Sequence, residues 1–256
     1  MKLGFKSTAI SDVGLQRDGN EDSALISPVL VAVADGMGGH AAGEVASKIA
    51  IESLVGLSKV LTDEEMDSDS KEDLLLGVIE EIDAELSTRS KSHPEYAGMG
   101  TTLTALFLNG SDAELLHVGD SRCYLIKKNK LEQLSHDHTV MQELLDQGRL
   151  SPDEVANHPQ RSLLTQVLMG TDSISPMLLV KEVKVGDKFL LCSDGLSSVL
   201  SESEINKVIK AGEDLVVNLI DAVKAAGAPD NVTIILSEVV DLTKSSALEK
   251  FGAARG

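Results

Sequence analysis

The stretch Leu103–Ile126 reads LTALFLNGSDAELLHVGDSRCYLI. Three apolar runs stand in it, Leu103 to Leu108, Glu114 to Val118 and Cys123 to Ile126. Turn residues separate them, first Asn109-Gly110-Ser111-Asp112 and then Gly119-Asp120-Ser121. Short runs of this kind bounded by Gly, Asn, Asp and Ser read as strands. Parallel neighbours need a crossover of about a dozen residues or more, and these turns leave no room for one. Hairpins and an antiparallel arrangement are therefore expected.

Working outward, further strand-like runs lie at Val29 to Ala34, Phe189 to Cys192 and Val232 to Leu236. Helical spacing recurs in three places: Ala46, Ile49, Ala50, Ser53, Leu54 and Leu57; Leu75, Ile79, Ile82 and Leu86; Val216, Leu219, Ile220 and Val223. Each reads as a helix of roughly 11 to 17 residues packed on one side. The acidic stretch Thr62 to Asp73 reads as a surface loop between helices. Strands cluster while helices pair before and after them, which predicts an α+β fold, antiparallel sheets covered by helices, over a doubly wound parallel sheet.

The 256 residues suffice for one large domain or two small ones, and 42% hydrophobic against 2% aromatic content makes the core aliphatic. A net charge of −18 repels phosphate backbones, so nucleic acid is not an expected partner. Cys123 and Cys192 each lie in an apolar run and read as buried free thiols in a reducing compartment. The N-terminus Met-Lys-Leu-Gly-Phe-Lys has no signal-like apolar segment, and no run approaches the roughly 18 apolar residues of a membrane helix. A soluble, cytoplasmic protein without a membrane partner is expected.

Four acidic segments stand where a strand meets a turn: Val33-Ala34-Asp35-Gly36-Met37-Gly38-Gly39-His40, His117-Val118-Gly119-Asp120-Ser121-Arg122, Leu191-Cys192-Ser193-Asp194-Gly195 and Pro229-Asp230-Asn231-Val232. Asp and Gly are ordinary turn residues, which explains any one of them. Four beside buried strands in one chain point to a carboxylate cluster, which repels itself unless cations neutralise it. Oxygen-only donors suit hard ions such as Mg²⁺ or Mn²⁺, and no Cys/His cluster has zinc-like spacing. Arg17 precedes Glu21 and Asp22 in the segment 11 to 22. It has the planar fork that grips two phosphate oxygens, although a surface arginine paired with a nearby acid is the ordinary reading of such a residue. His136-Asp137-His138-Thr139 resembles a metal motif, but it opens the apparent helix Val140 to Gly148 and reads as a cap.

With these residues in order, the chain resembles the metal-dependent protein phosphatases (PPM, the type 2C serine/threonine phosphatases) in their compact bacterial form. The matching stretches are Asp12-Val-Gly with Arg17 and Asn20-Glu-Asp22; Val33 to His40; Gly100-Thr101-Thr102; His117 to Arg122; Leu191 to Gly195; and Asp230-Asn231-Val-Thr233. The resemblance implies a four-layer αββα sandwich. It implies a single catalytic domain over residues 1–240, followed by a short polar tail over 241–256, loosely ordered. Asp35 would bridge two Mn²⁺ or Mg²⁺ ions, the Gly36 carbonyl would join one, and Asp194 and Asp230 would hold the second. Asp120 with Asp194 would form a weaker third site. Glu21 and Asp22 would act through metal-bound waters, Arg17 would bind the substrate phosphate, and Gly100-Thr-Thr would be structural.

The implied reaction is hydrolysis of phosphoserine and phosphothreonine by a metal-activated water. Met37 stands where some relatives carry a histidine, so the proton for the leaving oxygen falls to His40 or a metal-bound water. Ser198 replaces an aspartate that some relatives place near the third site. Residues 148 to 172 match the family's mobile flap, where Arg161 reads as a surface residue. A monomer acting on phosphoproteins and opposing a bacterial Ser/Thr kinase is expected. A regulatory module of the same fold would have lost its metal aspartates. A hydrolase of small phosphoesters shares the motifs.

Overall fold

The computed structural model describes residues 2–38, 42–61, 66–128, 130–155, 158, 160, 162–171, 174–242 and 249–255. Its elements in chain order begin with β1 (Leu3–Asp12), β2 (Asp22–Ile26), β3 (Leu30–Met37), α1 (Ala42–Leu61), α2 (Ser68–Ser92), β4 (Gly100–Thr101), β5 (Leu103–Asn109) and β6 (Asp112–Val118). They continue through β7 (Arg122–Lys127), β8 (Lys130–Gln133), α3 (Val140–Asp146), α4 (Pro152–Val155), β9 (Met177–Glu182) and β10 (Lys188–Cys192). The chain closes with α5 (Asp194–Ser197), α6 (Glu202–Ala211), α7 (Leu215–Ala225), β11 (Val232–Asp241) and β12 (Glu249–Gly252).

Among the described residues the strands form two antiparallel sheets, β1-β11-β10-β7-β8 and β12-β2-β3-β5-β6-β9, with β4 beside β3. Side-chain alternation divides the apolar residues into three layers. Val31 and Val33 face Phe189, Leu191 and Ile235 between the sheets. Leu30, Ala32 and Ala34 on the other face of β3 pack against Ala46, Ala50, Leu54 and Ile82 of α1 and α2. Leu190, Cys192 and Ile234 lie under Ile205, Leu219 and Val223 of α6 and α7. The result is the expected αββα sandwich. Cys123 belongs to the middle layer and Cys192 to the α6–α7 layer, and both are buried free thiols.

The β5–β6 hairpin forms as predicted, in register from Leu103↔Val118 to Asn109↔Asp112, with Gly110 at φ +62° in its turn. The next turn is not a hairpin. Gly119-Asp120-Ser121 carries the chain from β6 in one sheet to β7 in the other, which is possible because Gly119 takes φ +107°.

Three other expectations are corrected. The segment 68–73 is helical, since Asp67 caps α2 by accepting the Ser70 N–H at 2.9 Å. Thr62 to Glu65 lie outside the described residues. With 20 and 25 residues, α1 and α2 outrun the lengths read from their apolar faces, because good helix formers continue them beyond the packed stripe. Finally, Glu249–Gly252 of the expected tail pairs antiparallel with β2, and Ala254 is buried. Few residues are needed there because an existing strand edge supplies the partners.

Candidate active site

All the acidic segments arrive at one end of the sandwich. β2 begins at Asp22 beside the end of β3, where Asp22 pairs with Asp35 in the ladder. Asp120 stands in the sheet-to-sheet turn, Asp194 follows β10, and Asp230 precedes β11. They surround an open cleft of about 250 Å³ lined by Arg17, Glu21, Asp35, Gly36, Asp120, Asp194 and Asp230, with Met37 and Leu164 on its rim. Gly36 is required by close approach: a Cβ there would collide with the Gly43 carbonyl of α1 and lie 2.5 Å from the Glu21 carbonyl.

Hydrogen bonds fix these carboxylates from behind. The Asp35 N–H donates to Thr102 Oγ1 at 3.1 Å, and its carbonyl accepts from the Thr102 N–H at 2.9 Å and Thr101 Oγ1 at 3.0 Å. Asp22 is 1% exposed and accepts from Ser193 Oγ at 2.7 Å. It lies behind the cleft, whereas Glu21 lines it. The Asn231 side chain accepts the Glu21 N–H at 2.8 Å and donates to Val13 and Gly19 carbonyls at 2.9 and 2.8 Å. It thereby staples the loop carrying Arg17 beside Asp230. Arg17 pairs with Asp230 at 2.7 Å, not with Glu21 or Asp22 by a direct bond.

Burial pushes the Asp22 carboxyl up to about 7, against which the Ser193 hydrogen bond acts; Asp194 and Asp230 repulsion adds to the rise. Asp120 is likewise raised to about 7, by burial and then by Asp194 and Asp137, with Arg122 opposing. Asp35 is held well above the carboxylate range by burial and by Asp22, Asp194, Asp120 and Asp230. Such a set is short of positive charge. Among the described residues no three His, Cys, Asp or Glu side chains converge to enclose one ion. The donors line walls, an arrangement that suits a hard cation retaining several waters.

His40 and Arg161 lie outside the described residues. The remaining predicted site residues come together here. Reading the sequence alone gave Thr102 a structural role without naming its partner Asp35, and left out Ser193 and Asn231 as positioning groups. Each directly adjoins or lies inside a motif, but none bears a charge that flags it.

The model of the Protein phosphatase 2C family matches residues 20–233. Serine/threonine protein phosphatase PstP of Mycobacterium tuberculosis is 41% identical over 244 residues, covering 93% of this chain and 46% of that protein. The chain thus spans about half the length of this relative. Serine/threonine phosphatase stp of Listeria monocytogenes is 35% identical, covering 91% of this chain and 95% of that one. A crystal structure of the catalytic domain of PstP in complex with two manganese ions superposes with a TM-score of 0.83 at 38% identity, covering 94% of this chain and 100% of that one.

Proposed function

Because the chain belongs to the protein phosphatase 2C family, we propose that it is a metal-dependent serine/threonine protein phosphatase acting at the Asp35 cleft. The observation that carries this reading is the cleft itself: Asp35, Asp120, Asp194 and Asp230 gather with one arginine among the described lining residues. Oxygen donors that repel one another fit Mn²⁺ or Mg²⁺. Two ions per chain are proposed, with a weaker third. Asp35 and the Gly36 carbonyl would hold one, Asp35 with Asp194 and Asp230 would hold the second, and Asp120 with Asp194 would hold the third. Glu21 and Asp22 orient waters. When bound, such cations acidify a water and offset charge on a phosphoryl group.

The chain's own residues do the rest. Arg17 reaches over Asp230 and is 51% exposed, so its remaining N–H donors are available to a substrate phosphate. The Thr101 and Thr102 contacts hold both backbone polar groups of Asp35, so its carboxylate is oriented before substrate arrives. The leaving alkoxide would take its proton from His40 or from a metal-bound water. We further propose a single catalytic domain, a cytoplasmic monomer, and phosphoprotein substrates made by a bacterial Ser/Thr kinase. No described helix is long and apolar enough to cross a membrane.

The test is hydrolysis of a phosphothreonine peptide with and without Mn²⁺, beside Asp35→Asn and a panel of free phosphorylated metabolites. Phosphate release is expected to require Mn²⁺ and to fall at least about 100-fold in Asp35→Asn. Wild type inert on several phosphopeptides with Mn²⁺ would sink the reading. Preference for free phosphoesters would reassign the substrate class.

A further inference from the structure

The segment His136-Asp137-His138-Thr139 is absent from the cleft lining, and its side chains diverge. His136 Nε2 meets Asp146 at the surface at 2.7 Å, and Thr139 caps α3 by accepting the Gln142 N–H at 3.1 Å. Several of its inward contacts reach the stretch that carries Asp120. The His136 carbonyl accepts from His117 Nε2 at 3.1 Å. Asp137 is buried and takes a forked pair from Arg122, Nε at 2.9 Å and Nη2 at 2.6 Å. The His138 N–H donates to the Gly119 carbonyl at 2.7 Å, and the Gly119 N–H donates to His138 Nδ1 at 3.1 Å. One residue therefore occupies both backbone polar groups of Gly119. Accepting at Nδ1 requires the neutral ring with its proton on Nε2.

Asp120 is thus gripped on both sides, at Gly119 by His138 and at Arg122 by Asp137. Ser121 between them is held from the opposite side: its hydroxyl lies 2.5 Å from Thr102 Oγ1, and its carbonyl accepts from Thr104 Oγ1 at 2.9 Å. A Cβ on Gly119 would stand 2.6 Å from Thr102, so the turn has little room to shift. The same segment is tied to residues 163–165. The Val140 N–H donates to the Leu163 carbonyl at 3.0 Å, and the Thr165 N–H donates to the His138 carbonyl at 2.8 Å. Ser162 and Leu164 line the cleft.

We propose that His136–Thr139 is a strap that positions Asp120, with His138 as its positioning residue, and that it joins the Asp120 turn mechanically to residues 162–165, of which Ser162 and Leu164 line the cleft. The proposal rests on the phosphatase reading for the cation that Asp120 helps to hold. A carboxylate ligand depends on such outer partners for its orientation.

The test compares wild type, Asp120→Asn, His138→Phe and His138→Asn by calorimetric titration with Mn²⁺, together with hydrogen exchange at the Gly119 amide. Phe keeps the ring that packs 5.1 Å from the His117 ring but has no acceptor. Asn presents its amide oxygen near the position of Nδ1. Asp120→Asn identifies the Mn²⁺ site to which Asp120 contributes. His138→Phe is expected to weaken that same site about 10- to 100-fold and leave the others within about twofold, while His138→Asn stays within about threefold of wild type. The Gly119 amide should exchange about tenfold faster in His138→Phe only. A His138→Phe isotherm equal to wild type, or one weakened at every site alike, overturns the strap. Should wild type take up no Mn²⁺, the phosphatase reading falls. The strap is then judged by exchange alone, and equal Gly119 rates in all variants overturn it.

Discussion

Arg17 shows how the meaning of a residue depends on its partner. Its neighbours in sequence are Asp18, Glu21 and Asp22, yet its ion pair is with Asp230 across the chain at 2.7 Å. An exposed pair of this kind contributes little to stability, so its value is best sought in substrate binding. Arg17→Ala is expected to lower kcat/KM on a phosphothreonine peptide about 10- to 100-fold, with a melting temperature close to wild type. Arg17→Lys should recover only part of this, because a point charge lacks the planar fork. Steady-state kinetics and thermal melts on the same preparations check both. Equal kcat/KM in wild type and Arg17→Ala would remove Arg17 from the site.

Among the elements, α6 is secured by a local device. Ser201 and Glu204 form a reciprocal capping box, with Ser201 Oγ 2.6 Å from Glu204 and the Ser201 N–H donating to the same carboxylate at 2.8 Å. Gly212 at φ +85° closes the other end. The helix buries Ile205 and Ile209 over the β10–β11 face. Ser201→Ala is therefore expected to cost about 1 kcal/mol and to lower the melting temperature by about 2–4 °C. It should leave kcat unchanged, because neither Ser201 nor Glu204 lines the Asp35 cleft. A differential scan and a peptide assay test the two halves; an unchanged melting temperature would mean solvent replaces the box without penalty.

At the scale of the molecule, the acidic cleft works against the fold when cations are withheld. Asp22 and Asp120 titrate at about 7 in the folded chain against 3.8 for the free group. Between those values the folded state holds protons that the unfolded chain has released. Stability therefore falls as pH rises through the window, by about 1.4 kcal/mol per proton and pH unit. The net charge of −18 adds self-repulsion in the same direction. Metal-free protein is expected to melt lower at pH 8 than at pH 5. Saturating Mn²⁺ should raise the melting temperature more at pH 8 than at pH 5, since the ions bind the ionised carboxylates. Scans with chelator and with Mn²⁺ at both pH values decide it. A metal-free melting temperature that is flat or rising from pH 5 to pH 8 would show that these carboxylates are not strained by burial.

The sequence by itself determined the fold class, the strands at Val29 to Ala34, Leu103 to Leu108, Glu114 to Val118, Cys123 to Ile126, Phe189 to Cys192 and Val232 to Leu236, and the identity of the cleft aspartates, while the short strands β4 and β8 carry no such apolar run. Apolar spacing and turn residues are local signals, and an Asp beside a Gly at a strand end is visible without coordinates. Only the tertiary structure decided that Gly119-Asp120-Ser121 crosses between sheets. A turn of that length is compatible with a hairpin or a crossing, and the choice lies in which strand accepts β7. It also decided that Arg17 pairs with Asp230, that Asn231 staples the Arg17 loop, and that Glu249–Gly252 joins a sheet. Those are contacts between residues far apart along the chain, where hydrogen-bonding partners are set by packing and leave no periodic trace in the order of amino acids.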